Sequence, residues 1–260
     1  MISASHVVFR AGQRALVDDV TTQFEPGRLH LIIGVNGAGK STLLKLLSRL
    51  LRLSEGEVSY GAEDISRWSD LELARRRAVL SQSVEVAFSL PVRELVMMGR
   101  YPHFGTRPKS SDEHIVDEVI RYFDLAEFVG RDYGTLSGGE KQRVQFARVL
   151  AQIWQPTASS SRYLFLDEPL TFLDIRHQMD FMTKIREFAL RPDVVTVGVV
   201  HDLNLASRFA DRLLLLHEGR VLADGTPEAV LTSDQVRHAF GVTSVLLSNP
   251  ASGQTHLVVE

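Results

Sequence analysis

The segment LIIGVNGAGKSTLL, residues 31–44, is the most informative part of this sequence for the fold. An apolar run leads into a glycine-rich turn, which is followed by a lysine, two hydroxyl residues and the start of an apolar helix pattern. The spacing G-x-x-x-x-G-K-[ST] is that of a loop whose backbone N–H groups wrap a phosphate at the positive end of a helix. We therefore interpret residues 31–44 as a strand, a nucleotide phosphate loop and a helix start.

The side chains of this loop indicate how the nucleotide is held. Lys40 supplies a mobile cation for the β- and γ-phosphates, and Ser41 supplies a hydroxyl for Mg²⁺. Glycines permit positive φ and a close approach of the backbone to the phosphates. The predicted contacts with the nucleoside triphosphate are Asn36, Gly37, Ala38, Gly39, Lys40, Ser41 and Thr42.

Length and composition limit the remaining possibilities. A chain of 260 residues with 44% hydrophobic content can bury one substantial core and a smaller attached lobe. The net charge of −3 gives no global basic field for binding nucleic acid. The absence of cysteine excludes disulfides and thiolate metal sites, and it fits a reducing compartment. No run of about 18 apolar residues occurs, so we expect that the chain does not cross a membrane by itself.

The pattern along the chain favours an α/β core with a helical insertion. Strands are predicted near residues 6–9, 15–24, 29–34, 57–60, 78–81, 163–166, 194–200, 212–216, 242–247 and 256–259. Helices are predicted near 39–50, 70–77, 92–99, 112–123, 137–151, 175–190, 202–209 and 233–240. Alternation of strands and helices predicts a largely parallel sheet.

A second nucleotide signal follows the apolar strand at residues 163–166, which ends in Asp167 and Glu168. Open α/β sheets place ligands at the carboxyl ends of their strands. Asp167 is suited to hold Mg²⁺ through water, and Glu168 to polarise the attacking water as a general base. The alternative is a strand that merely ends in a solvated acid pair, but a phosphate loop earlier in the chain favours the nucleotide interpretation.

The string LSGGEKQR, residues 136–143, lies between these two signals. Ser137 is a good N-cap, and Glu140 stands three residues later, as in a capping box. Local structure is sufficient to explain this pattern, and a single helix start of this kind binds anions with modest specificity.

Taken with the phosphate loop, this string resembles the signature of the ATP-binding cassette (ABC) ATPases, and the resemblance covers about residues 5–230. It implies two copies facing head to tail, each sandwiching ATP between the phosphate loop of one chain and Ser137-Gly138-Gly139 of the other. The implied α/β fold has a P-loop NTPase core with a mostly parallel sheet, an N-terminal antiparallel β portion and an inserted α-helical lobe. We expect one domain over 1–260, with the core at 1–82 and 162–260 and the lobe at 83–161.

Smaller matches follow the order of the same family. Gln82 resembles the glutamine that reaches Mg²⁺ and the attacking water, and Asp174 lies in the loop that crosses the dimer interface. His201 resembles the switch histidine that contacts the γ-phosphate. Many members stack an aromatic ring on adenine where this chain has Ala11, and Phe9, two residues earlier in the same strand, is the predicted substitute.

The segment VRELVMMGRYPH, residues 92–103, resembles the helical lobe of importers for metal chelates. Together with the polar insertion at 155–162 and Glu140, it is most similar to the haemin-importer ATPases. The resemblance implies two transmembrane permease subunits docked on the lobe, an indirect substrate-binding protein, and a peripheral position on the cytoplasmic face of the plasma membrane. No haem ligand is expected among the nine histidines of this chain.

Other assignments remain open at this point. The substrate could instead be a ferric siderophore or cobalamin. A DNA-repair or chromosome-organising ATPase shares the nucleotide chemistry, but such proteins carry long coiled coils between the phosphate loop and the signature, so we expect no nucleic acid partner. A regulatory cassette that binds ATP without hydrolysing it is disfavoured by Glu168 and His201.

Overall fold

The computed structural model describes residues 1–81, 89–156, 161–170, 173–248 and 255–259. Gln82 and the central part of the polar insertion at 155–162 lie outside the described residues.

The chain forms two compact units. The first unit combines Met1–Arg67 with Ile185–Glu260, and the second unit is Trp68–Lys184. The predicted core and lobe are a different division of the chain, and their boundaries stay a prediction.

Strands are numbered in chain order. They are β1 (Ile2–Ala11), β2 (Arg14–Phe24), β3 (Arg28–Ile33), β4 (Glu55–Tyr60), β5 (Glu63–Asp64), β6 (Arg77–Leu80), β7 (Arg162–Asp167), β8 (Val194–Val199), β9 (Arg212–His217), β10 (Arg220–Gly225), β11 (Ser244–Ser248) and β12 (Thr255–Val259).

Helices follow the same convention. They are α1 (Lys40–Leu47), α2 (Asp70–Arg76), α3 (Val92–Met98), α4 (Ser110–Tyr122), α5 (Gly138–Gln152), α6 (Ile175–Ala189), α7 (Leu203–Phe209), α8 (Pro227–Val230) and α9 (Ser233–Phe240). In the described part of the chain, no helix is both long and apolar enough to span a bilayer.

The first unit contains an antiparallel sheet and a mostly parallel one. The antiparallel sheet has the order β2-β1-β4-β5. In the other sheet β3 lies between β8 and β9 and is parallel to both, while β10 is antiparallel to β9. Every residue of β8 is buried, as expected for a central strand covered on both faces. The predicted largely parallel sheet and N-terminal antiparallel portion are therefore present.

Among the predicted elements of the first unit, β1 and α1 differ most in length from the sequence prediction. Strand β1 begins at Ile2 because Ile2 pairs with Phe24 on one side and with Tyr60 on the other. Helix α1 ends earlier than predicted because Arg49 adopts a left-handed φ of 55°. The pairing of β1 depends on partners distant in sequence.

The second unit is built around helices α3, α4 and α5 and a pair of parallel strands, β6 and β7. Aromatic rings form its centre: Phe146 packs against Phe123 at 5.1 Å and against Phe181 at 4.6 Å between ring centroids. Arg100 and Asp112 form a buried ion pair through Nη2 of Arg100. Nη1 of Arg100 donates a hydrogen bond to the carbonyl of Ala151. These contacts connect α4, which precedes the signature string, with α5, which begins within it.

Candidate nucleotide site

The phosphate loop connects the end of β3 to the start of α1, and its path requires glycine. Gly34 has φ +146°, and a Cβ atom there would lie 2.3 Å from the carbonyl oxygen of Leu216. Gly39 has φ +99°, and a Cβ atom there would lie 2.4 Å from the carbonyl oxygen of Leu16. Contacts this short are not possible for a real side chain, so the predicted glycine spacing is also a steric requirement.

Lys40 is the first residue of α1, and only 5% of its surface is exposed. Its ammonium donates hydrogen bonds to the carbonyls of Gly34 at 2.9 Å and Val35 at 3.0 Å. Because a buried cation must keep hydrogen-bond partners, these carbonyls hold the ammonium against the glycine turn. The residue before the helix, Gly39, provides no side-chain cap. A helix start of this composition favours an anion over a capping side chain.

His201 follows β8 in the same unit. Ile32 of β3 pairs with Val199 of β8, and the N–H of Val200 donates to the carbonyl of Ile32 at 3.3 Å. Because the two strands are parallel, their carboxyl ends lie at one edge of the sheet, and His201 leaves the sheet beside the strand that precedes Gly34. The structure therefore brings the predicted switch histidine to the sheet edge that carries the phosphate loop.

Phe9 lies in β1, is half-buried and pairs with Val17. The register of β1 shifts between Phe9 and Arg10, and Ala11 is exposed opposite Arg14. Regular two-residue alternation therefore does not relate Phe9 to Ala11 in a simple way. The adenine contact of Phe9 stays a prediction.

In the second unit, the acid pair ends a fully buried strand. Asp167 is the last residue of β7 and is 4% exposed, whereas Glu168 is half-buried. Glu168 has a left-handed φ of 51° and is followed by Pro169. We call residues 168–174 the acid loop; residues 171 and 172 lie outside the described part of it.

Ser137 caps α5 as the sequence predicts. The N–H of Glu140 donates to the Ser137 hydroxyl at 3.4 Å, and the N–H of Ser137 donates to the Glu140 carboxylate at 2.7 Å. The backbone N–H of Ser137 is the main reason that the pKa of Glu140 lies below its ordinary value. Gly138 and Gly139 form the first helical residues, and a Cβ atom on Gly139 would touch the Leu173 side chain at 3.5 Å.

Asp174 is exposed at the end of the acid loop. Its carboxylate accepts a hydrogen bond from the backbone N–H of His177 at 2.9 Å and lies 2.8 Å from the His177 ring. These contacts, the backbone one first, lower the pKa of Asp174. The loop predicted to cross a dimer interface therefore presents a carboxylate beside an imidazole.

The acid loop is held by two glutamines that are not among the predicted site residues. Gln142 of α5 donates its side-chain amide to the carbonyl of Pro169 at 2.7 Å, and Gln178 of α6 donates to the carbonyl of Leu173 at 3.0 Å. Gln142 is part of the string LSGGEKQR, but its type and position do not reveal a partner 27 residues away.

The predicted site residues thus divide between the units. The phosphate loop and His201 belong to the first, and Asp167, Glu168, Ser137 and its glycines, and Asp174 belong to the second. Across the described ranges, no group of three or more His, Asp or Glu side chains is placed to hold a metal ion. Gln82, the third predicted catalytic residue, is outside those ranges.

Comparison with known proteins decides the family. The sequence profile described as ABC transporter matches residues 17–171. The chain belongs to the ABC transporter family. As an ABC ATPase it has the predicted α/β fold class, and that prediction is confirmed.

Relatives of this ABC ATPase extend along its whole length. It is 43% identical to the "Hemin import ATP-binding protein HmuV" of Gloeobacter violaceus (strain ATCC 29082 / PCC 7421), over 97% of this chain and 92% of the relative. A solved inward-facing ABC transporter of presumed metal-chelate type has a TM-score of 0.83 and 25% identity, covering 100% of this chain and 96% of the other. The dimeric structure of a bacterial ABC transporter cassette has a TM-score of 0.74 and 25% identity, covering 87% and 99%.

Proposed function

We propose that this ABC ATPase hydrolyses ATP to energise a membrane importer for haemin. The observation that carries the ATPase assignment is the phosphate loop, in which glycines with positive φ approach neighbouring carbonyls too closely for any side chain and a buried lysine stands at the helix start. The haemin assignment is supported by the full-length relative named as a hemin import protein.

The residues of this chain have distinct tasks in the proposed reaction. The loop backbone and Lys40 bind the β- and γ-phosphates, and His201 contacts the γ-phosphate. Glu168 accepts a proton from the attacking water as general base. Ser41, Asp167 through water, and Gln82 would hold Mg²⁺, which neutralises phosphate charge when bound. A few protein oxygens of this kind suit Mg²⁺, because it keeps waters and phosphate oxygens as its other ligands.

A second copy of the chain completes each site in the proposal. Ser137-Gly138-Gly139 of the partner subunit closes over the γ-phosphate, and the likeness to a dimeric cassette supports this arrangement. Two permease subunits dock on the helical lobe at the cytoplasmic face of the plasma membrane, and a substrate-binding protein delivers the cargo to them. Closing on ATP and reopening after hydrolysis would move the permease between its two orientations.

Reconstitution tests the function and the cargo together. The full chain is combined with candidate permease subunits in vesicles, with ATP on the side of the chain and a substrate-loaded binding protein on the other. We expect ATP-dependent uptake of haemin and none with the Glu168→Gln variant. Uptake of a ferric siderophore or cobalamin without haemin would contradict the haemin assignment, and it would agree with the metal-chelate type of the structural neighbour.

A further inference from the structure

The backbone of Glu168 is in an unusual conformation for its type. A left-handed φ is uncommon outside glycine, and a residue that precedes proline is normally extended. Such conformations are energetically unfavourable and persist only where surrounding structure holds them. Something in the second unit must therefore fix the peptide units beside Glu168.

Gln142 holds the peptide unit that follows Pro169, which is one unit beyond those flanking Glu168. Its side-chain amide donates to the carbonyl of Pro169, which is buried and directly follows Glu168. A hydrogen bond at 2.7 Å fixes the direction of that carbonyl, and proline fixes its own φ, so the residue after Glu168 has little freedom. The donor comes from α5, a regular helix in which the following residues Val144 and Phe146 are fully buried, so the helix that carries Gln142 is fixed by packing.

The far end of the acid loop is held in the same manner. Gln178 donates to the carbonyl of Leu173, the Leu173 N–H donates to the carbonyl of Leu170 at 3.2 Å, and the Leu173 side chain packs at Gly139. Hydrogen bonds from two glutamine side chains thus stand at both ends of the loop that begins with Glu168. Gln142 is the one nearest to the strained residue.

We propose that Gln142 is a positioning residue for ATP hydrolysis. Its amide holds the Pro169 carbonyl, and through it the left-handed backbone of Glu168, so that the carboxylate is presented to the attacking water in one orientation. This inference rests on the proposed role of Glu168 as general base. Gln142 also lies in the helix that Ser137 caps, so the signature segment and the general base of one chain share a rigid support.

The test uses the full-length chain and two substitutions. Gln142→Met keeps the length of the side chain and removes the donor, and Gln142→Glu keeps its shape but replaces the donor with an acceptor. We expect kcat for ATP hydrolysis to fall about tenfold or more in both, because misplacement of a reacting group by about 1 Å costs up to roughly 10²-fold. KM and the Kd for ATP should stay unchanged, since the phosphate loop is untouched.

Gln152→Met is the matched control. Gln152 lies at the other end of α5 and donates to the carbonyls of Ala74 and Arg77, so this variant loses helix-anchoring hydrogen bonds of the same kind away from the acid loop. Thermal unfolding of all variants separates loss of stability from loss of rate. We expect Gln152→Met to lose stability without a fall in kcat in the remaining folded protein.

A double-mutant cycle with Glu168→Gln gives the decisive comparison. If Gln142 acts through Glu168, Gln142→Met lowers the residual rate of Glu168→Gln little or not at all. Equal kcat in Gln142→Met and Gln152→Met, or a full additional loss in the Glu168→Gln background, would overturn the positioning role. If the unmodified chain hydrolyses no ATP, or Glu168→Gln does so at the normal rate, it is the proposed function that fails.

Discussion

The phosphate loop and the acid loop both follow a buried strand, yet they are held in different ways. In the phosphate loop, backbone atoms pack closely against one another. Gly34 lies against the Leu216 carbonyl, and the N–H of Gly219 donates to the carbonyl of Ala38 at 3.1 Å. In the acid loop, the side chains of Gln142 and Gln178 donate to the carbonyls of Pro169 and Leu173, in addition to the backbone hydrogen bond from Leu173 to Leu170.

Because of this difference, the two loops should respond differently to substitution. A turn fixed by close backbone contacts has no room for a side chain, so substitution there disrupts binding as a whole. A loop held by side-chain amides can be loosened one hydrogen bond at a time while its strand stays intact. We therefore expect binding defects from the first region and rate defects from the second.

The largest effect should separate these two tasks. Glu168→Gln removes the proposed general base and keeps the shape of the side chain, so turnover should fall by roughly 10²- to 10⁴-fold. ATP binding should be retained, because the phosphate loop is unchanged. Hydrolysis and equilibrium ATP binding measured on the same preparation check this, and near-normal hydrolysis would remove the distinction between the loops.

Lys40→Ala should produce the opposite defect. Loss of hydrogen bonds from a charged donor costs about 1.5–3 kcal/mol, which corresponds to roughly 10- to 150-fold weaker ATP binding. Titration with a fluorescent ATP analogue measures this. A Kd equal to that of the unmodified chain would show that the ammonium does not contribute to the cradle.

The glycines of the phosphate loop allow a comparison within one turn. A Cβ atom at Gly34 meets a backbone carbonyl at 2.3 Å, whereas at Gly37, with φ +82°, it meets nothing within 4 Å. Both alanine variants carry the cost of a left-handed residue, about 1–2 kcal/mol, and Gly34→Ala adds overpacking of about 1–3 kcal/mol. Denaturant unfolding should rank Gly34→Ala as the less stable variant; equal stability would mean that the turn adjusts freely.

The smallest effect concerns pH and the capping box of α5. The pKa of Glu140 is lowered in the folded chain, so its carboxylate favours folding above its ordinary pKa, and this contribution is lost as the pH falls through the folded value. Residues 34–42 contain no acidic side chain, so the phosphate loop has no equivalent. Urea midpoints measured between neutral pH and about pH 3 should fall less steeply for Glu140→Gln than for the unmodified chain. Parallel curves would assign the acid sensitivity to other carboxylates.

The sequence alone identified the phosphate loop, the acid pair and the capped signature helix, because each is encoded by residues within a few positions of one another. It also predicted the alternation of strands and helices. Contacts between distant segments were not accessible from the pattern: the Leu216 carbonyl beside Gly34, the pairing that extends β1 to Ile2, and the Gln142 bond to Pro169. Glutamine is common on helices, and only the folded structure shows which carbonyl accepts its hydrogen bond.

In the proposed dimer, the phosphate loop of one chain works with the signature segment of a second copy. The most direct measurement is ATP hydrolysis in a mixture of two variants, Glu168→Gln, which lacks the general base, and Ser137→Arg, which blocks the signature. Each variant alone should hydrolyse ATP only at a low residual rate. In a mixed dimer, the Ser137→Arg chain keeps its own phosphate loop and Glu168 and receives an intact signature from its partner, so hydrolysis should reappear on mixing. A mixture no more active than the two variants measured separately would contradict the claim.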